Sequence, residues 1–194
     1  MKTLALIAAA GRARRFGSDK RRAPLADGRA LLTATRARAG ERFADVRVIL
    51  RADDRPADLA VPETAVIVSP RADQGLGLSL ADAFAALLAH DEPAEVVAVW
   101  LGDMPWVATE TVDRLLAEAA GDRIVRPTLD HRPGFPVLFG RHLWPALAAN
   151  EQPDGARALV ARHRRALVEI PVTDPGVLRD VDRPDDLNPD KTTV

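Results

Sequence analysis

The 194-residue chain contains no cysteine. It can build no disulfide, thiolate nucleophile or cysteine metal site, and nothing in it asks for an oxidising compartment. Aromatic residues make up only 4%, too few for an extended stacking platform for unpaired bases. No apolar run approaches the roughly 18 residues that would cross a bilayer. Charge of one sign is missing too. With 27 basic and 28 acidic residues the formal net charge is -1, which argues against a nucleic-acid coat or a polybasic membrane anchor. The four histidines, His90, His131, His142 and His163, lack zinc-ligand spacing. Lysine is scarce: Lys2, Lys20 and Lys191 stand alone in a chain that otherwise uses arginine. One of them lies in the opening loop, "LALIAAAGRARRFGSDK".

That opening has the outline of an export signal, with Lys2, a short apolar run and alanines before Gly11. Arg12, Arg14 and Arg15 would then follow the cleavage point, where positive charge resists translocation. The better reading is a first β-strand running into a glycine- and arginine-rich loop of a cytoplasmic protein.

Short apolar runs alternate with longer amphipathic ones. Strands are expected over Leu4–Ala8, Val46–Leu50, Ala65–Val68, Val96–Leu101, Arg123–Val125, Pro136–Phe139 and Leu167–Ile170. Leu80, Phe84, Leu87 and Leu88 form one helical stripe, and Val112, Leu115, Leu116 and Ala119 another, with Thr109 placed to cap it. Leu143, Trp144 and Leu147 mark a third helix. The run "VVAVWL" predicts a strand buried on both faces, as in a mostly parallel sheet between helices. The expectation is one three-layer α/β domain over residues 1–188, with a frayed tail at 189–194.

Ligands of such sheets bind beyond the carboxyl ends of the strands, and four stretches at those places carry chemistry. In the opening loop the spacing is neither a P-loop nor a dinucleotide fingerprint. Gly11 and Gly17 permit close backbone approach, while Arg15 and Lys20 bring positive charge to a triphosphate. A solvated basic turn is the alternative. In "LGDMP", Asp103 leaves the most apolar strand, where it can hold Mg²⁺ or form an Asx-turn before Pro105. In "DQGLGLSLAD", Gly75 and Gly77 open a tight loop that could cover a base or ribose. Ser79 with Asp82 reads first as a helix N-terminus signal. In "RDVDRPDDL", Asp180 and Asp182 point the same way if extended, so that one could complete a metal site. Asp185 and Asp186 begin a short helix after Pro184.

Together and in order, these stretches resemble the nucleotidyltransferases that mature the molybdenum cofactor, a MobA-like NTP transferase family. Their opening signature L-A-A-G-x-S-x-R-[MF]-G-x-x-K is met by Ala9, Ala10, Gly11, Arg15, Phe16, Gly17 and Lys20. "GLGLSL", "GDMP", "PGFPVLF", "GARAL" and "DVDRPDDL" follow in family order. The resemblance implies a Rossmann-like nucleotide-diphospho-sugar-transferase fold. It also implies transfer of a nucleoside monophosphate to a phosphorylated acceptor, molybdopterin, with release of pyrophosphate. The second alanine of the opening is similar to the cytidylyl branch, so CTP is expected over GTP. On this reading Arg15, Lys20 and Asp103 are catalytic. Ala8, Ala9, Ala10, Gly11, Lys20, Gly75, Gly77 and Ser79 bind the nucleotide, and Asp103 and Asp182 bind Mg²⁺. A molybdoenzyme receiving the cofactor is an implied partner. The chain departs from the pattern at Ala13, Phe135, Asp154 and Arg183, mostly on the acceptor side. Two rivals remain: a nucleotide-binding accessory protein without transfer, and a sugar-1-phosphate nucleotidyltransferase.

Overall fold

The computed structural model describes residues 1–12, 16–153 and 156–187. Ala13, Arg15, Asp154 and the expected tail lie outside the described residues. In chain order the elements are β1 (Thr3–Ala8), α1 (Leu31–Gly40), β2 (Val46–Arg51), β3 (Val66–Ser69), α2 (Leu76–Ala89), β4 (Val96–Leu101), α3 (Thr109–Ala117), β5 (Ile124–Leu129), β6 (Arg132–Pro133), β7 (Val137–Gly140), α4 (Trp144–Ala148), α5 (Ala156–Arg162) and β8 (Leu167–Pro171). Strand order is β3-β2-β1-β4-β7-β5-β6, with β8 also pairing β5. The strands from β3 to β4 are parallel, and β8 is parallel to β5. The antiparallel β7 lies between these two parallel parts.

Two-residue alternation along the central strands sorts the core into two layers. Leu4, Leu6, Val97 and Val99 face Phe84 and Leu87 of α2 and Trp144 and Leu147 of α4. Ala5, Ile7, Val96, Ala98 and Trp100 face Leu32 and Ala39 of α1 and Val112 and Leu115 of α3. Burying each large apolar side chain contributes about 1.5–3 kcal/mol. The polar atoms carried in with them are satisfied: Trp100 Nε1 donates to Met104 O, and Trp144 Nε1 to Phe139 O. The expected three-layer α/β architecture is what forms.

Local expectations fail where a distant residue does the work. Thr109 does not cap α3; it is the first helical residue, and Ala108 occupies the cap position. Asp174, far along the chain, secures this end by accepting from Ala108 N and the Thr111 hydroxyl. Ser79 and Asp82 do not start α2, which begins at Leu76 after Gly75. The Ser79 hydroxyl donates back to Gly75 O, and Asp82 accepts from the Ser69 hydroxyl and from Arg71. Helix α1 has no clear apolar stripe. Arg36 and Arg38 interrupt it, and its buried residues include the small Ala34, Thr35 and Ala39.

Strands β1 and β4 run side by side over their full length, Thr3 against Val96 through Ala8 against Leu101. Their exits touch: Gly102 N donates to Ala8 O, and a Cβ on Gly102 would stand 3.0 Å from Ala8 O and from Ala9 Cβ. A side chain there would press on both atoms, so glycine favours the close approach by which the two loops leave the sheet together.

Candidate active site

The surface beyond β1 and β4 opens into a cavity of about 420 Å³. Ala8, Ala9, Ala10 and Gly11 form one wall, Gly75, Leu76 and Ser79 another, and Lys20, Asp103 and Asp182 the floor. Of the expected residues that the structure describes, it thus gathers those of four separate stretches. Gly77 is the exception: its N–H donates to Pro153 O, away from the lining. Gly75 has φ +121° and sits against Pro153, so its glycine identity is a backbone requirement.

Lys20 lies in a one-turn 3-10 helix started by Asp19, whose side chain accepts from Arg21 N. Its Nζ donates to Asp103 Oδ2 at 2.5 Å and to Val181 O at 2.8 Å, and stands 3.7 Å from Asp182 Oδ1. Both members of the Lys20–Asp103 pair are largely buried, at 17% and 15% side-chain exposure. Val181 N donates to Asp103 O, pinning the C-terminal segment to the β4 exit. The expected Mg²⁺ ligand at Asp103 therefore has Lys20 beside it, and the Asx-turn alternative is not formed. Asp103 Oδ1 is buried with no hydrogen-bond partner.

Oxygens of Asp103, Asp180 and Asp182 all lie within 4.8 Å of one another. Asp180 is exposed, yet its carboxyl is held above the ordinary value. Partial burial is the main cause, followed by the negative charge of Asp103 and then that of Asp182. Three converging carboxylates and an orphaned buried oxygen fit a hard divalent cation. Asp186 serves the fold by accepting from the backbone N–H groups of Asp182 and Arg183.

Beside Lys20, Arg21 belongs to a second charged cluster. Its side chain is 6% exposed and donates to Asp19, to Asp54 and to Ala9 O. Asp54 in turn accepts from Arg51, whose Nη1 donates to Gly11 O. Across the cavity mouth, Arg12 makes a two-bond contact with Asp73, at 2.5 and 2.8 Å. The sequence reading assigned no role to Arg21, Arg51 or Asp54, because their partners come from separate stretches of the chain.

A second cavity of about 380 Å³ shares Leu76 and Leu101 with the first. Its walls are mainly apolar, including Leu80, Phe135, Val137 and Phe139, with Arg126 and Arg157 as its charged members. Phe135, singled out as a departure on the acceptor side, lines this space.

A mostly parallel sheet with a glycine-edged cavity at its strand exits, and carboxylates gathered around Asp103 at the end of β4, fits a nucleotide-binding α/β architecture. The model of the MobA-like NTP transferase domain matches residues 5–167, so the chain belongs to that family. Among solved structures, the Rv0371c homologue from Mycobacterium sp. strain JC1 is 28% identical with a TM-score of 0.74, covering 96% of this chain and 94% of that one. Rv0371c from Mycobacterium tuberculosis H37Rv in complex with manganese is 27% identical with a TM-score of 0.76, covering 96% of each chain. Molybdopterin-guanine dinucleotide biosynthesis protein A from Archaeoglobus fulgidus shares the fold at 21% identity and a TM-score of 0.68, covering 95% of this chain and 94% of that one. No curated protein sequence matches this chain. Among the described residues, no helix is long and apolar enough to cross a membrane.

Proposed function

We propose that this protein, acting in the cytoplasm as one domain over residues 1–188, transfers CMP from CTP to a phosphorylated acceptor, molybdopterin. An acceptor phosphate oxygen bonds to the α-phosphorus, the bond from that phosphorus to the β-phosphate bridge breaks, and pyrophosphate leaves in line. The observation carrying this reading is the unpartnered Asp103 Oδ1 within a three-carboxylate cluster, of which Asp103 and Asp182 line the first cavity.

Such transfer asks mainly for positioning and charge neutralisation. Asp103 and Asp182, with Asp180 beside them, would hold Mg²⁺, which supplies charge neutralisation and orientation to the α-phosphate. Lys20 uses two of its three N–H donors on Asp103 and Val181, leaving the third for a phosphate oxygen. Arg15 is assigned to the β- and γ-phosphates by the family resemblance. The loop over Ala8–Gly11 lines the nucleotide side, and Gly75, Gly77 and Ser79 belong to the segment facing it. The neighbouring apolar cavity takes the acceptor, with Phe135 in its wall. A molybdoenzyme receiving the product is the proposed partner.

The test is pyrophosphate release from each nucleoside triphosphate with Mg²⁺, with and without molybdopterin. CTP with molybdopterin should give release above every other combination. Binding of CTP without release on any acceptor would instead identify an accessory protein. CTP should also raise the melting temperature more than GTP; equal or greater stabilisation by GTP would overturn the base assignment.

A further inference from the structure

Arg21 lines the first cavity, yet all of its hydrogen-bonding capacity is used inside the protein. A guanidinium has five N–H donors. Nε donates to Asp19 Oδ1 at 2.8 Å. Nη2 donates to Asp19 Oδ2 at 2.8 Å and to Asp54 Oδ1 at 2.7 Å. Nη1 donates to Asp54 Oδ2 at 2.7 Å and to Ala9 O at 3.1 Å. No donor is left for a ligand, so Arg21 acts through what it holds.

Asp54, 6% exposed, is as fully engaged. Besides the two bonds from Arg21, it accepts from Arg51 N at 2.9 Å and Arg51 Nη2 at 2.8 Å. Arg51 then donates from Nη1 to Gly11 O at 3.2 Å. One buried carboxylate thus anchors two arginines, and each arginine grips one carbonyl of the loop leaving β1. In a trans peptide the C=O of one residue and the N–H of the next are fixed in one plane and point in opposite directions. Gripping Ala9 O sets the direction of the Ala10 N–H, and gripping Gly11 O sets that of the Arg12 N–H. Ala10 and Arg12 both line the cavity, and neither amide meets an acceptor among the described residues.

We propose that Asp54, Arg21 and Arg51 are positioning residues that aim the Ala10 and Arg12 amides at the phosphates of a bound nucleotide. Two fixed N–H groups beside Lys20 make an anion-receiving concavity whose ordering cost is met during folding, before the ligand arrives. The assignment rests on reading this cavity as the nucleotide site.

Arg51→Met tests it, because the substitution releases Gly11 O while leaving the Arg21–Asp54 contact in place. Affinities for CTP, CMP and cytidine are measured by calorimetry with Mg²⁺. Arg141→Met serves as the structural control. It removes bonds to Glu92 O and Ala94 O before the start of β4, at the opposite end of the sheet. Arg51→Met should bind CTP about tenfold more weakly, CMP less affected and cytidine unchanged. Arg141→Met should lower the melting temperature and leave all three affinities intact. CTP affinity within twofold of the parent, or an equal loss for cytidine and CTP, would overturn the proposal. If Arg51→Met does not fold, Arg51→Lys keeps the charge but loses the rigid fork in which two separate nitrogens reach Asp54 and Gly11 O, and carries the same graded expectation. A parent protein that binds no nucleoside triphosphate would fail the nucleotide reading itself, a result separate from an unchanged variant.

Discussion

Lys20 and Arg21 are neighbours in sequence and opposites in situation. Around Arg21, every guanidinium donor is matched and Asp54 accepts four hydrogen bonds. Around Lys20, three carboxylates crowd together, one buried oxygen has no partner and Asp180 is pushed toward its neutral form. A saturated cluster has no capacity left for a ligand and acts only through the backbone it holds. A cluster with excess charge of one sign is costly to the fold, and that cost is recovered when a ligand arrives. The difference separates architecture from chemistry within two adjacent residues.

Removing one partner from each cluster should sharpen this contrast. Arg21→Met leaves Asp19 and Asp54 without their main cation, and should cost about 3–5 kcal/mol of stability in denaturant unfolding. Asp103→Asn should do the reverse. It keeps the volume and relieves like-charge crowding, so the melting temperature should hold or rise, while transfer falls about a hundredfold or more. Mg²⁺ should stabilise the parent and not this variant. Retained activity in Asp103→Asn with loss in Asp182→Asn would move the metal site to the later carboxylate. Lys20→Ala should weaken CTP binding by about 1–3 kcal/mol. It should also lower the melting temperature in a way that added Mg²⁺ partly restores.

Acid titration, read as the difference between the parent and Arg21→Met, probes the saturated cluster. Burial opposes the Asp54 charge, but hydrogen bonds from Arg21 and Arg51 overcome it and hold the carboxyl below the ordinary 3.8. A folded value below the unfolded one means the contribution is complete above pH 3.8 and is lost as pH falls through the folded value. Unfolding measured down that range should therefore show the parent converging on Arg21→Met. The smallest effect is expected at the exposed Asp185, where Asn should change stability and transfer by less than about 0.5 kcal/mol.

Asp103 drew notice because "VVAVWL" marks a buried strand and ligands collect beyond strand exits, although the local sequence left an Asx-turn equally open. Lys20 stood out by its rarity. Arg21 could not be read, since "KRR" has the same composition whether it faces solvent or a buried Asp54 on another strand exit. The strand Pro136–Phe139 was located, but apolar spacing carries no direction, so the antiparallel insertion of β7 between β4 and β5 was not foreseen. Helix α1 escaped for a related reason: beyond Leu31 and Leu32 its buried positions are the small Ala34, Thr35 and Ala39, and the Thr35 hydroxyl donates to Leu31 O and Gly102 O.

The contact at Gly102 has a consequence for how the molecule comes into being. Ala5 pairs with Ala98, so β1 waits for most of a hundred-residue stretch to be synthesised and folded back before it meets β4. Pairings of such long sequence separation form slowly, because chain entropy is lost before contacts repay it. Until that step the glycine loop and Asp103 belong to different parts of a searching chain. Ligand and metal can therefore stabilise only the finished product, making nucleotide a late guardian of the native state and not a template for reaching it.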